Sequence, residues 1–154
     1  MIKLTLQNTG KRFNREWIFR SLNLELKLGD SIAILGANGS GKSTIARVMS
    51  GFMISSEGTV QLEINGVVIE DNNYYKHLSY VAPYLDLLEE FTLTEMLNFH
   101  RKFKPMLNNL STSDLITILG MEKQENKIIS QFSSGMKQRV KLLLAIMVKV
   151  PLTF

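Results

Sequence analysis

Two stretches near the start of the chain alternate apolar and polar residues, at positions 2–7 and 22–28. A repeat of two residues is typical of strands that bury one face. The polar segment 8–15 separates the two stretches, and Leu28-Gly29-Asp30 supplies a turn after the second. The pattern therefore predicts an antiparallel hairpin.

A short apolar run then leads into a glycine-rich segment. Residues 31–35 read Ser-Ile-Ala-Ile-Leu, which favours a buried strand, and the glycine-rich residues 36–43 follow directly. From Lys42 to Met49 the apolar side chains recur at helical spacing, and Gly51 follows as a stop signal. The prediction is a strand, a loop and a helix in direct succession.

A second hairpin is predicted between residues 58 and 69. Asn65-Gly66 divides this stretch, and Asn-Gly suits a type I′ turn because both residues of that turn take positive φ. Residues 80–83, which read Tyr-Val-Ala-Pro, are expected to close a further short strand.

The second half of the chain has the pattern of helices. Thr92 and Glu95 have the spacing of a capping box at a helix start, and Pro105 is expected to end that helix. A second helix is predicted from Thr112 to Leu119, with Gly120 as its C-terminal cap.

A third helix is predicted from Met136 to Val148, after the polar triplet Ser133-Ser134-Gly135. Strands interleaved with helices indicate an α/β core with a small helical insert. With 154 residues, a single domain is the default interpretation. We expect one domain over residues 1–154, with a helical subdomain at about 86–135.

Composition and charge exclude several functional classes. The chain has no cysteine and two histidines, which excludes a disulfide framework and argues against a zinc site. The net charge of +4 is scattered without a basic run, so it does not indicate a nucleic acid partner. The N-terminus lacks the apolar region of a signal peptide, and the longest apolar stretch, 142–148, is too short to span a bilayer. We expect a cytoplasmic protein without a membrane-spanning segment.

The segment Gly36–Ser43 matches the phosphate-loop pattern G-x-x-x-x-G-K-[ST]. Glycines let backbone N–H groups converge on phosphate oxygens, Lys42 supplies positive charge, and Ser43 offers a hydroxyl ligand to Mg²⁺. The positive end of the following helix favours an anion at the same place. We therefore predict ATP and Mg²⁺ as ligands, with Ser43 on the metal. The predicted phosphate-binding residues are Gly36, Asn38, Gly39, Ser40, Gly41, Lys42 and Ser43.

Three features together resemble ABC-transporter ATPases. Residues 36–44 read GANGSGKST, in the wording of that family, which adds Thr44 to the predicted site. Residues 132–139 read FSSGMKQR and resemble the family signature LSGGQ with its following basic and Gln residues, although three of the five signature positions differ. Phe13 precedes the loop by the interval at which the family carries an aromatic residue that stacks on adenine.

The resemblance covers the whole chain and implies a P-loop NTPase of the ABC type, with an antiparallel β subdomain, a helical insert and an incomplete core sheet. It also implies a homodimer that holds ATP between two subunits, with Ser133 and Gly135 contacting the γ-phosphate bound by the other subunit. A separate transmembrane subunit would complete the transporter at the inner face of the membrane. Taken alone, Phe13 reads as hairpin core, and residues 133–135 read as a helix N-cap.

Three residues typical of the family are not found in the sequence. Family members carry a Gln after the second hairpin, whereas this place reads Val81-Ala82-Pro83-Tyr84. Tyr84 or Asp86 is a candidate for part of its role, and an altered contact is the preferred interpretation. The sequence also stops at Phe154, shortly before the family's Walker B Asp and catalytic Glu. We expect a truncated cassette that exposes an apolar sheet edge, which invites pairing with another chain.

Other acidic and histidine side chains do not replace the missing groups in this interpretation. Glu89-Glu90 is expected to form a solvated acidic face, and His77 and His100 are expected at the surface. Hydrolysis needs an oriented water and a bound Mg²⁺. We therefore expect no catalytic residue within the chain, which would bind ATP without cleaving it.

The leading hypothesis is the ATP-binding subunit of an ABC-type transporter, which binds MgATP and pairs with a second subunit to power transport. The alternative is a non-hydrolysing, ATP-dependent interaction module. A small P-loop kinase is disfavoured because no Arg-rich lid is found. The transported substrate and the direction of transport belong to the membrane subunit and are not readable from this sequence.

Overall fold

The computed structural model describes residues 1–82 and 85–154. It contains two compact units, one made of residues 1–78 with Phe154 and the other of residues 79–153. Each unit is described by itself below.

A long hairpin begins the first unit. Strand β1, Ile2–Phe13, pairs antiparallel with strand β2, Glu16–Lys27, across a turn at Asn14-Arg15. The hairpin was predicted, but the prediction that the polar segment 8–15 separates two short strands is wrong. Register shifts in the β1–β2 ladder absorb the polar residues, so that pairing continues to Phe13.

β1 is an inner strand of a four-stranded sheet with the order β2-β1-β3-β4. Strand β3 is Glu57–Ile64 and strand β4 is Val67–Ile69, and both pairings that involve β3 are antiparallel. The turn between them is at Asn65 and Gly66, whose φ angles of 52° and 82° are both positive. The predicted Asn-Gly hairpin is confirmed.

The core of the first unit lies under one face of β1. Leu4 and Leu6 are 1% exposed, and Leu62 of β3 pairs with Leu4 and is fully buried. The helix α1, Lys42–Met49, forms over the predicted residues and buries Val48 and Met49. Alternate apolar positions on the strands and a helical apolar stripe therefore build one small core.

Residues 31–35 form no strand, so the prediction of a buried strand before the glycine-rich loop is wrong. An extended segment becomes a strand only when a neighbour completes its backbone hydrogen bonds. Among the described residues, none pairs with this segment, and β2 and β4 are the edges of the sheet. Leu35 is accordingly 88% exposed and Ile32 is 47% exposed.

Three α-helices build the second unit. They are α2, Leu93–Phe103, α3, Thr112–Leu119, and α4, Ser134–Ile146. Their apolar faces share one buried cluster that includes Leu93, Leu97, Leu115, Ile129 and Val140. The bounds of α3 are as predicted, and α2 ends before Pro105 as predicted.

The helix caps agree with the sequence signals. Thr92 and Glu95 form the predicted capping box of α2, and Gly120 ends α3 with a left-handed φ of 63°. A second capping box, Ser111 with Asp114, begins α3 and was not predicted. Helix α4 begins at Ser134 rather than Met136 because Ser133 is its N-cap.

Short elements complete the chain. Strand β5, Leu78–Ser79, and strand β6, Leu152–Thr153, form a two-stranded sheet. The strand predicted at residues 80–83 is wrong, because β5 ends at Ser79, and Pro83 lies outside the described residues. The 3-10 helices are Asp71–Lys76, Leu107–Asn109, Glu122–Gln124 and Ile129–Gln131.

Candidate functional site

The phosphate loop of the first unit is an open turn at the start of α1. Residues 35–40 are all exposed, and the Ser40 N–H donates to the Ala37 carbonyl oxygen at 3.2 Å. Asn38 and Gly39 lie in this turn, and both are exposed. The loop therefore presents its backbone rather than bulky side chains to the solvent.

Two positions in the loop require glycine. Gly41 has a φ of +89°, and a Cβ there would lie 2.4 Å from Ile18 Cγ2. Gly36 has a φ of +154°, and a Cβ there would lie 2.6 Å from Ser40 Oγ. Both positions combine a backbone conformation that side chains disfavour with a close neighbour. The physical reason for glycines in the pattern is thus visible in the structure.

Lys42 turns back onto its own loop. Its Nζ donates to the carbonyl oxygens of Gly36 at 2.9 Å and Ala37 at 2.7 Å. An ammonium group has three N–H donors, so a further donor remains after these two bonds. The positive charge is therefore held at the loop by local contacts, where it can meet a phosphate oxygen.

The N-terminus of α1 has no side-chain cap. Its N-cap is Gly41, and the first turn contains no acidic residue. The first backbone N–H groups of a helix have no partner within the helix, and the helix dipole is positive at this end. Ser43 is exposed and Thr44 is half-buried in this turn. An anion is the ligand that best satisfies these donors.

The tip of the β1–β2 hairpin carries Phe13, which is 45% exposed. The Lys11 ammonium lies 5.4 Å from the centre of the Phe13 ring, so the ring is not buried in the hairpin core. Phe13 pairs across the hairpin with Glu16, two residues before Ile18. Because Ile18 approaches Gly41, this end of the hairpin is joined to the phosphate loop.

The motif at the start of α4 belongs to the second unit. Ser133 is the N-cap, and its Oγ accepts a hydrogen bond from the Met136 N–H at 3.3 Å. Ser134 and Gly135 are exposed, and a Cβ at Gly135 would meet nothing within 4 Å. The N-cap interpretation of Ser133 is therefore confirmed. Its contact with ATP of a second subunit stays a prediction.

Glu89 and Glu90 are both exposed, as expected of an acidic face. Glu89 nevertheless pairs with Lys137 of α4. Asp86 is 85% exposed and lies 3.6 Å from the Lys141 ammonium. Tyr84, the other candidate for the role of the missing Gln, lies outside the described residues.

The prediction that both histidines lie at the surface is wrong. His77 and His100 are half-buried, because His77 ends a 3-10 helix beside buried Tyr74 and His100 lies in the last turn of α2. Burial lowers the pKa of His100, and the charge of Lys104 lowers it further. His100 Nδ1 is buried without a hydrogen-bond partner among the described residues. Both effects favour the neutral form of His100.

No group of three or more His, Asp or Glu side chains that could hold a metal is found in residues 1–82 and 85–154. The predicted metal ligand at the loop, the hydroxyl of Ser43, is exposed. A hard oxygen ligand of this kind fits Mg²⁺, which also takes ligands from nucleotide phosphates and water. In the same part of the chain, no helix has the length and apolar character needed to cross a membrane.

Sequence reasoning missed three contacts that bear on the site. Ile18, which lies at a register shift in the β1–β2 ladder, approaches Gly41, and no local pattern signals this contact. The pairs Glu89–Lys137 and Asp86–Lys141 join segments that are distant in sequence. The spacing of lysines at 137 and 141 on one helix face is the only sequence signal for these pairs.

Comparison with known proteins agrees with the motifs. The family model described as ABC transporter matches residues 19–154. The chain is similar to the cytochrome c biogenesis ATP-binding export protein CcmA of Reclinomonas americana, with 35% identity over 92% of this chain and 65% of the relative. The protein of that name from Haemophilus influenzae is 28% identical over 91% of this chain and 66% of the relative. The chain therefore spans about two thirds of the length of these relatives.

Solved structures match over a similar range. An ATP-binding subunit of an ABC transporter superposes with a TM-score of 0.73 and 25% identity, over 92% of this chain and 60% of that chain. A dimeric bacterial ABC transporter cassette superposes with a TM-score of 0.71 and 23% identity, over 93% of this chain and 68% of that chain. The second match shows likeness of fold.

Proposed function

The chain belongs to the ABC transporter family, and from that premise we propose that it binds MgATP as the ATP-binding subunit of an ABC transporter. The observation that carries this proposal is the phosphate loop. Lys42 holds its charge on the loop carbonyls beside the uncapped N-terminus of α1. These features together are suited to the phosphates of a nucleotide.

Each residue of the loop has a role in the proposed complex. The ammonium of Lys42 faces the β- and γ-phosphates, and Ser43 supplies a hydroxyl to Mg²⁺. The backbone N–H groups from Asn38 to Thr44 surround the phosphate oxygens. Phe13 lies at a hairpin end that is joined to the loop through Ile18, and its exposed ring stacks on adenine.

The proposed working form is a homodimer with ATP between the copies. Ser133 and Gly135 of one copy face the γ-phosphate held by the loop of the other. Support comes from the exposure of both residues and from the first turn of α4, which contains no acidic residue. A solved cassette of this fold is described as dimeric.

The proposed partners include a separate transmembrane subunit, and we place the chain at the cytoplasmic face of the membrane. The relatives named as ATP-binding export proteins support this arrangement. The basic residues are scattered along the sequence and form no basic run, so we propose no nucleic acid partner. Exposed Lys102 and Lys123 exemplify this scatter, since they lie on different elements of the second unit.

The family is one of ATPases. For this polypeptide we propose ATP binding without hydrolysis. None of its 154 residues fills the place of the family's Walker B Asp or catalytic Glu. A bound water would therefore lack a side chain to orient it. The polypeptide of this sequence, tested alone, is expected to hold MgATP without releasing phosphate. Multiple turnovers in such a test would overturn this part of the proposal.

MgATP affinity measured by calorimetry tests the proposed binding. Lys42→Ala removes the charge that faces the phosphates and is expected to weaken binding by about tenfold to a hundredfold, as for other hydrogen bonds to charged groups. Lys102→Ala on α2 is the matched control and should retain the wild-type affinity. Equal affinity in Lys42→Ala and the wild type would reject the loop as the ATP site.

A further inference from the structure

The segment before α2 is paired with the segment before α4. The N–H groups of Ser130 and Ile129 donate to the carbonyl oxygens of Glu89 and Phe91, each at 2.9 Å. Further along, Thr92 and Ile128 form an antiparallel bridge. This backbone pairing brings Glu89 close to the stretch that ends at Ser133.

Two ion pairs extend this attachment onto α4. Lys137 pairs with Glu89, and Lys141 lies 3.6 Å from Asp86. The two lysines are one helical turn apart and lie on the same face of α4. Their side chains are only 25% and 12% exposed, so their stems are held against the unit while their charges reach the acidic partners.

Of the two ion pairs, Glu89–Lys137 lies within about one helical turn of Ser133 and Gly135. The Lys137 N–H donates to the Ser133 carbonyl oxygen at 3.0 Å, as the first intrahelical bond of α4. A side chain that holds Lys137 therefore also restrains the turn that presents Ser133 and Gly135. Exposed ion pairs contribute little to overall stability, so removal of Glu89 should leave the unit folded.

We propose that Glu89 is a positioning residue that, through Lys137, fixes the direction in which the first turn of α4 presents Ser133 and Gly135. The proposal rests on the proposed function, in which these residues meet ATP held by a second copy. Through this carboxylate and ammonium pair, the segment that contains Asp86 and Glu89 is connected to the turn that contributes to the ATP site of the other copy.

Charge reversal tests this role, with Glu90 as the matched control. Glu90 is the next residue, is exposed, and forms no ion pair in the described part of the chain. Glu89→Lys places two positive charges together and should weaken ATP-dependent self-association about two- to fivefold in sedimentation experiments, in line with the strength of exposed pairs. The MgATP affinity of Glu89→Lys should stay unchanged because the phosphate loop belongs to the other unit. Its melting temperature should also stay unchanged because exposed ion pairs contribute little to stability.

A variant in which Glu89 and Lys137 are exchanged distinguishes a positioning role of this pair from a general loss of structure. The double variant Glu89→Lys with Lys137→Glu should recover wild-type association, whereas Glu90→Lys should never lose it. Equal losses in Glu89→Lys and Glu90→Lys, or no recovery in the exchanged pair, would overturn the proposal.

Hydrogen exchange gives a readout that does not depend on nucleotide. Amide exchange at residues 134–140 should accelerate about two- to fivefold in Glu89→Lys and return to the wild-type rate in the exchanged pair. If the wild type does not bind MgATP, the proposed function is rejected and the positioning role is not. Unchanged exchange in Glu89→Lys would reject the positioning role, whatever the nucleotide does.

Discussion

The phosphate loop and the start of α4 are both exposed helix N-termini, but they are stabilised in different ways. The loop is held by its own residues, because Lys42 bonds to the carbonyls of Gly36 and Ala37. The start of α4 has a side-chain cap in Ser133 and is attached to a distant segment through Glu89. A site built from neighbouring residues is readable from a short motif. A site that also depends on a remote segment can be predicted only in part from such a motif.

Glycine substitution separates the two regions most strongly. Gly41→Ala forces a positive φ on a side-chain residue and a clash with Ile18, so we expect a loss of about 1–3 kcal/mol in unfolding free energy and a loss of MgATP binding. Gly135→Ala has open space in a helix, and is expected to stabilise by up to about 1 kcal/mol. Urea unfolding measures both. The same sign of change in the two variants would contradict the difference between the sites.

Ser133→Ala should have an intermediate effect. The variant loses the hydrogen bond to the Met136 N–H, which is expected to cost about 1 kcal/mol of unfolding free energy. MgATP affinity of a single copy should stay unchanged, while ATP-dependent association weakens. Calorimetry and sedimentation velocity measure these two quantities. A loss of nucleotide affinity as large as that in Lys42→Ala would show that Ser133 acts within its own chain.

The smallest expected effect concerns pH and the second unit alone. Because burial holds the pKa of His100 below its ordinary value, the unfolded chain takes up the proton first as the pH falls. The unfolding free energy should therefore decrease below about pH 6.5, the usual pKa of an unfolded histidine. His100→Gln should make this decrease shallower in urea titrations at pH 7.5, 6.5 and 5.5. An unchanged slope in the variant would contradict the role of His100.

Local signals in the sequence predicted much of the fold. The Asn65-Gly66 turn, the Thr92–Glu95 capping box and the Gly120 cap each depend on residues within one turn, and all are present. Capping also explains why α4 begins at Ser134. The helix starts after Ser133 because the side-chain oxygen of Ser133 accepts a hydrogen bond from the Met136 N–H.

Contacts over long sequence distances were not predictable in the same way. Residues 31–35 have the composition of a strand, yet strand formation depends on a pairing neighbour that no local pattern supplies. The approach of Ile18 to Gly41 joins residues 23 positions apart at a register shift of the hairpin. The half-burial of His100 depends on packing around α2, which the neighbouring residues in the sequence do not reveal.

A mixture of two variants that each associate weakly tests the shared ATP site most directly. In a dimer of Lys42→Ala with Ser133→Ala, one ATP site has an intact loop from one copy and an intact Ser133 from the other. We expect the mixture to associate with ATP and to retain about one nucleotide per dimer, whereas each variant alone associates weakly. Sedimentation with absorbance detection of bound nucleotide measures both quantities. A mixture that behaves as the average of its two components would contradict the two-copy site.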